Sequence, residues 1–316
     1  MSTMSSLGEV ELPQLMAPSV VGVLGPGASR WPARILVCTD NSVSSGDALA
    51  LADALAARAA AAVDVLSVFT PSIPLPNVPA RRGSARCERQ DRCAAAELIR
   101  AVRTEERRRF GGRVRWPVNL EVGNPVQAIV ERSKRTRADL VIVGLGSRDP
   151  LVRKGGVVIP ASLSRYTDVP ILAAAPMVRA LPQEAVLLVD REQVDLAVIR
   201  AALRCIEDAS FLWVLVHAGT TANSGDGVQR RKGTLADIMS VIRREAAAVS
   251  KRIVARAVYR TGDPVEAVLA LAREVRADLI VTPVHGTAGP VRSLLPNVAD
   301  RLLLAAPCSV LVVPES

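Results

Sequence analysis

The sequence predicts two tandem α/β domains, each a five-stranded parallel sheet with flanking helices, and three observations carry that prediction. The chain repeats itself: GNPVQAIVERSKRTRADLVIV at 123–143 returns as GDPVEAVLALAREVRADLIVT at 262–282, so Gly123, Pro125, Ala138 and Asp139 recur as Gly262, Pro264, Ala277 and Asp278. Strand-like and helix-like segments alternate through both copies, which implies right-handed crossovers and a parallel sheet. The composition is 49% apolar yet only 3% aromatic, a Val, Leu, Ile and Ala core of the kind that fills parallel strands buried on both faces.

The match extends upstream to RILVCTD (34–40) and EAVLLVD (184–190), where the offset is 150 rather than 139, so the first copy holds 11 extra residues between Asp40 and Gly123. A chain of 316 residues divides naturally into two domains, each able to bury its own core. The expected boundaries are an N-terminal arm at 1–33, a first domain at 34–176 and a second at 184–314, with a short linker near Pro176–Gln183.

In the first copy the expected order is a strand at 33–40, an Ala-rich helix at 44–61, a strand at 63–69, a Pro-rich loop at 71–80 and an amphipathic helix at 92–109. A strand at 113–122 follows, and Pro117 argues that it lies at an edge because proline cannot donate to a ladder. Asn124 and Pro125 form an N-cap and first-turn pair for a helix at 124–136. A strand at 138–144, a short helix around 158–167 and a strand at 169–175 complete the unit.

The second copy repeats the plan with strands at 184–190, 211–218, 252–260, 277–283 and 308–314. Its helices are expected at 192–206, near 234–251, at 263–275 and near 297–304, and the Gly- and Ser-rich stretch 219–233 reads as a flexible loop.

Several function classes are set aside. No apolar run approaches the ~18 residues of a membrane span. The first positive charge is Arg30, so no basic leader precedes an apolar one, and the expected location is the cytoplasm. The five cysteines show no metal spacing; Cys38, Cys205 and Cys308 sit in apolar segments as small hydrophobes, whereas Cys87 and Cys93 lie in a polar stretch open to redox chemistry. His217 and His285 have no Cys or carboxylate at ligand spacing, and no G-x-S-x-G occurs, so neither a metal nor a catalytic centre is expected.

The net charge of +9 raises nucleic acid as a partner, and 81–115 carries twelve arginines. Glu88, Asp91, Glu97, Glu105 and Glu106 are interleaved with them, and only Phe110 and Trp116 are available to stack, which favours a solvated helix face over a nucleic-acid surface.

The ordered set of features resembles the universal stress protein family, as a tandem member. The carrying residues are a first strand ending in Asp (Asp40, Asp190), a Gly-Asx-Pro helix start (Gly123-Asn124-Pro125, Gly262-Asp263-Pro264), an Ala-Asp-Leu strand opening and a Val-rich last strand after a short helix. The resemblance implies a Rossmann-like, adenine nucleotide alpha hydrolase-like fold, a stress-response regulator, and ATP as the ligand with the first domain favoured. It also implies a homodimer or, within one chain, the first domain packed on the second as a pseudo-dimer, and a further protein partner. The alternatives are a nucleic-acid-associated protein using 81–115 and a weak ATPase switch.

ATP-binding members carry G-x2-G-x9-G-S/T after the fourth strand, where glycines admit backbone N–H groups to phosphate and the last pair opens a helix. In the first copy the count gives Gly144, Gly146 and Ser147, with Val157-Val158 at the final pair and Lys154-Gly155-Gly156 just before it. A phosphate loop and a plain glycine turn both fit. In the second copy Pro283 and Pro296 replace two glycines, leaving Gly286 and the amide of Asn297. Asp40 and Asp190 match the family's adenine-side aspartate, and each is equally a helix N-cap.

Overall fold

The computed structural model describes residues 31–40, 43–69, 96–97, 100, 104, 116–145, 159–176, 180–190, 195–208, 210–218, 225–249, 252–284 and 297–314. The chain divides into two compact units at Ala180–Leu181.

The first domain contains β1 (Arg34–Thr39), α1 (Val43–Ala59), β2 (Ala62–Phe69), β3 (Val118–Val122), α2 (Pro125–Thr136), β4 (Leu140–Gly144), α3 (Ile159–Leu163) and β5 (Ile171–Ala174). Its sheet runs β3-β2-β1-β4-β5 with every pair parallel. Pro117 immediately precedes β3, which lies at the sheet edge as proline requires. Of the expected helix at 92–109, Ala96, Glu97, Arg100 and Thr104 are described and are helical.

The second domain contains β6 (Glu184–Asp190), α4 (Leu196–Cys205), β7 (Ser210–Ala218), α5 (Gly225–Ala248), β8 (Ile253–Thr261), α6 (Pro264–Glu274), β9 (Leu279–Val284), α7 (Val298–Ala305) and β10 (Ser309–Pro314). Its order, β8-β7-β6-β9-β10, reproduces the first domain strand for strand. The cores are aliphatic: Leu36, Val37, Leu140 and Ile142 in one and Val186, Val214, Ile280 and Leu311 in the other are essentially solvent-free.

The repeated motif proves to be scaffold. Gly123 and Gly262 have φ of 142° and 101°, backbone that a side chain strains against, and they turn each chain from strand into helix. Asn124 Oδ1 accepts from Val126 N at 2.9 Å and Gln127 N at 3.2 Å, and Asp263 Oδ1 accepts from Glu266 N at 3.0 Å, so both helices are capped as expected. Each helix is followed by a left-handed residue, Arg137 directly after the first and Arg276 two residues after the second, both at φ 52°. The Asp that follows ties the sheet together: Asp139 Oδ2 accepts from Ala33 N and Arg34 N at 2.9 and 2.8 Å, and Asp278 Oδ2 from Gln183 N and Glu184 N at 3.0 and 3.1 Å. These bonds fix the start of each domain's first strand against its fourth.

One expected loop is wrong. The stretch 219–233 is helical from Gly225 onward, because α5 spans Gly225–Ala248. Glycine costs a helix only ~1 kcal/mol per residue, and once a helix is nucleated each further residue adds a hydrogen bond. The buried spacing Ile238, Met239, Ile242 and Ala246 anchors the helix, and Val228–Lys232 continue it backwards.

Candidate functional site

In a parallel sheet of this order the strand sequence reverses beside the first strand, and ligands collect there, at the carboxyl ends. In the first domain that crevice lies between β1 and β4. Val37 pairs with Ile142, so Thr39 and Gly144 come two residues further on, followed by Asp40 and Leu145. Asp40 is exposed at the strand end. Thr39 is buried, and its Oγ1 donates to Ser45 Oγ at 3.0 Å, joining β1 to the first turn of α1.

Gly144 has a packing reason of its own. A Cβ there would stand 2.7 Å from both C and O of Ser44 and 3.0 Å from Ser45 N, all backbone of α1. The helix starts where it does because residue 144 has no side chain. Gly146, Ser147, Lys154, Gly155 and Gly156, which the sequence assigns to phosphate, lie outside the described residues, as do Cys87, Cys93, Gly286 and His285.

The second domain is built differently at the same place. Leu187 pairs with Val281, which sets Val189 beside Pro283, and Asp190 closes β6 in register with His217. The cap of α4 is Asp195, whose Oδ1 accepts from Ala197 N at 2.7 Å, so this role does not fall to Asp190. With the 150-residue offset Asp195 matches Ser45, so α1 has a first turn, Val43–Ser45, that α4 lacks.

Asn297 opens α7 within a capping box. Its Oδ1 accepts from Asp300 N at 2.7 Å, and its own N–H points at Asp300 Oδ2 at 3.4 Å. The amide that the sequence offers to phosphate is therefore turned to a carboxylate, and Asp300 is only 2% exposed. A negative group already occupies this helix end, where the dipole would draw phosphate. At the matching position the first domain has Ala161. Arg301 pairs with Asp263 at 2.8 and 3.1 Å, and that hydrogen bond, followed by the one from Glu266 N, holds the Asp263 carboxyl below its ordinary range.

The first domain also holds a polar network around Asp64 that joins residues far apart in the chain. Arg132 donates to both oxygens of Asp64 at 2.7 and 3.0 Å, Asn119 also donates to Asp64, and Arg135 pairs with Glu121. The last pair has a counterpart at the 139-residue offset with its charges exchanged, Arg260 with Glu274 at 2.8 Å. Such reversal was legible as Glu121/Arg260 and Arg135/Glu274 in the aligned repeats. Burial, with the Asp64 carboxylate second, pushes the Cys38 thiol well above its ordinary value, so it stays protonated and unreactive. His217 Nε2 lies 2.7 Å from Gly262 O; a carbonyl only accepts, so this nitrogen carries the proton. Among the described residues no group of three His, Cys, Asp or Glu is placed to hold a metal ion, and no helix is long and apolar enough to cross a membrane.

The profile of the universal stress protein family matches residues 33–158 and again 183–314. The chain belongs to that family, as a tandem member. A universal stress protein from Archaeoglobus fulgidus DSM 4304 superposes with a TM-score of 0.62 at 16% identity, over 90% of this chain and 96% of that one. A functionally unknown protein from Pseudomonas aeruginosa PAO1 gives 0.54 at 16% identity, over 90% and 94%. At that identity the likeness concerns the fold. No curated protein matches the chain.

Proposed function

We propose that this tandem universal stress protein is a non-catalytic stress-response regulator whose first domain, and not its second, holds an adenine nucleotide at the carboxyl ends of β1 and β4. The observation that carries the asymmetry is the Asn297–Asp300 capping box, which puts a buried carboxylate at the phosphate-facing helix end of the second domain while Ala161 leaves that place uncharged in the first. Asp40, exposed beside β4, is the adenine-side group in this reading, and Gly146, Ser147, Lys154, Gly155 and Gly156 are the phosphate side. Bound nucleotide would supply a signal rather than a reaction, which the chain passes to a protein partner.

Mass spectrometry of small molecules that copurify with the full chain tests the ligand, and titration with ATP by calorimetry tests the assignment. At most one ATP per chain is expected, weakened about tenfold by Asp40→Ala, as for loss of one charged hydrogen bond, and unaffected by Asp190→Ala. Two equivalent sites, or a site lost on Asp190→Ala alone, overturn the assignment, and no binding at all leaves a nucleotide-independent regulator. The reading also includes a pseudo-dimer of the two domains, supported by the short linker near Pro176–Gln183; solution scattering from two independently tumbling bodies contradicts it.

A further inference from the structure

The two domains differ also at their edge strands. In the first domain β3 is five residues long and is preceded by Pro117, a short, blunted edge. In the second, β8 runs nine residues without proline, and no strand among the described residues pairs with its outer side. Alternate residues of such a strand present their N–H and C=O groups outward, a template for another strand.

Three arginines recur at four-residue spacing, one just before the strand and two within it. Arg252 pairs with Asp208 at 2.7 Å and Arg260 with Glu274 at 2.8 Å. Arg256, between them, makes no hydrogen bond or ion pair with any described residue; its guanidinium lies over Trp213 at 5.1 Å and Phe211 at 6.0 Å. Trp213 is itself held by its Nε1–H, which donates to Glu184 Oε2 at 3.0 Å. Val254 stands in register with Phe211 and is 42% exposed. The chain has only three Phe and three Trp, so two meeting under one arginine is a concentration that composition does not explain. In the first domain the places of Phe211 and Trp213 hold Ala62 and Asp64, since Ala62 stands opposite Arg34 as Phe211 stands opposite Glu184.

We propose that the outer edge of β8 is a docking site for an extended acidic segment of a partner protein, which adds as a strand, places a carboxylate on Arg256 and rests an apolar side chain on Val254. A guanidinium stacked on aromatic rings is pre-oriented, and its in-plane N–H donors match a carboxylate two for two. The occupant is a peptide rather than a nucleic acid for two reasons: Arg256 already lies over the two rings on which bases would stack, and a row of backbone groups is read by another strand.

Panning a displayed random-peptide library on the full chain tests this. Enriched peptides are expected to alternate β-branched residues and to carry Asp or Glu at one fixed position. Arg256→Ala should weaken a synthetic copy of the consensus by at least about tenfold, Arg256→Lys by less because charge survives without the fork, and Val254→Glu should abolish binding by repulsion. Melting temperatures of the three variants close to that of the parent separate lost docking from lost folding, and Val254→Glu, at an exposed position, keeps the test open if Arg256→Ala unfolds. No enrichment, a consensus without acid, affinity unchanged in both Arg256→Ala and Val254→Glu, or preferential binding of a single-stranded oligonucleotide lost on Arg256→Ala overturns the proposal.

Discussion

The first domain has Gly144 where the second has Pro283, and the helix packed over that position begins a turn earlier in the first. Glycine lets the backbone of Ser44 and Ser45 descend onto the end of β4, whereas in the domain with Pro283 at that place α4 starts at Leu196 behind its Asp195 cap. One missing Cβ therefore accompanies a different mouth to the crevice in each half of a duplicated chain. The charged groups diverge in the same sense: the second domain closes its helix end with Asp300, and the first places its polar network elsewhere, around Asp64. What the two share, the Gly-Asx-Pro turn and the Ala-Asp tie, is the machinery that makes the fold. What separates them lies at the strand ends and edges, where partners and ligands meet a parallel sheet.

That contrast can be broken most sharply at residue 144. Gly144→Ala forces backbone to move and should destabilise the first domain by about 3 kcal/mol, the upper range for overpacking, while Pro283→Ala should change the second by about 1 kcal/mol or less. Native-state hydrogen exchange, which resolves the two domains, checks both. Equal losses in the two would show that α1 does not depend on the glycine.

Arg132→Leu comes next. It leaves Asp64 half-buried with Asn119 as its remaining donor, and about 2 kcal/mol should be lost from the first domain only, less than for a fully buried pair. The equivalent position in the second domain is already Leu271, so a matching Leu271→Ala loss there would reflect a cavity and not charge. Urea titrations of the single variants and of Arg132→Leu with Asp64→Leu distinguish them, because removing both partners should restore much of the loss.

The shared tie predicts equality instead of difference. Asp139→Ala and Asp278→Ala each remove a carboxylate that accepts two backbone N–H groups, and each should cost about 1–2 kcal/mol in its own domain. A gap of more than about 1 kcal/mol between them would mean that the duplicated motif has diverged in function.

The smallest effect is one of pH. The Asp263 carboxyl is held below its ordinary value of 3.8 by Arg301, so its contribution is complete above that value and is lost as pH falls through the lowered one. Arg301→Ala should flatten the acid limb of the second domain's stability and leave it unchanged near neutral pH apart from a small constant loss. The pair is exposed, so salt should weaken it. An acid limb unaltered in the variant rules out this linkage.

The repeat, the alternation of strands and helices and the family were legible because they rest on local signals: two-residue and 3.6-residue periodicity, Asx-Pro helix starts, and a proline before β3. The helix at Gly225–Gly233 was not, since glycine and serine look like a loop until a buried stripe downstream holds the helix they extend. Asn297-Val298-Ala299-Asp300 was readable as a capping box, but the family spacing led to phosphate at the same residues. Gly144 was read as the first glycine of a phosphate loop, and the structure gives it a packing reason that local sequence does not show, since a Cβ there would meet the backbone of α1.

By itself the sequence determined that this chain is two copies of one parallel α/β domain, because strand and helix periods and the caps between them are written in neighbouring residues. The tertiary structure decided which helix end carries a buried carboxylate, where Arg256 finds two aromatic rings, and why residue 144 is glycine. Each of these depends on groups far apart in the chain meeting across packed strands, and no local pattern encodes such a distance.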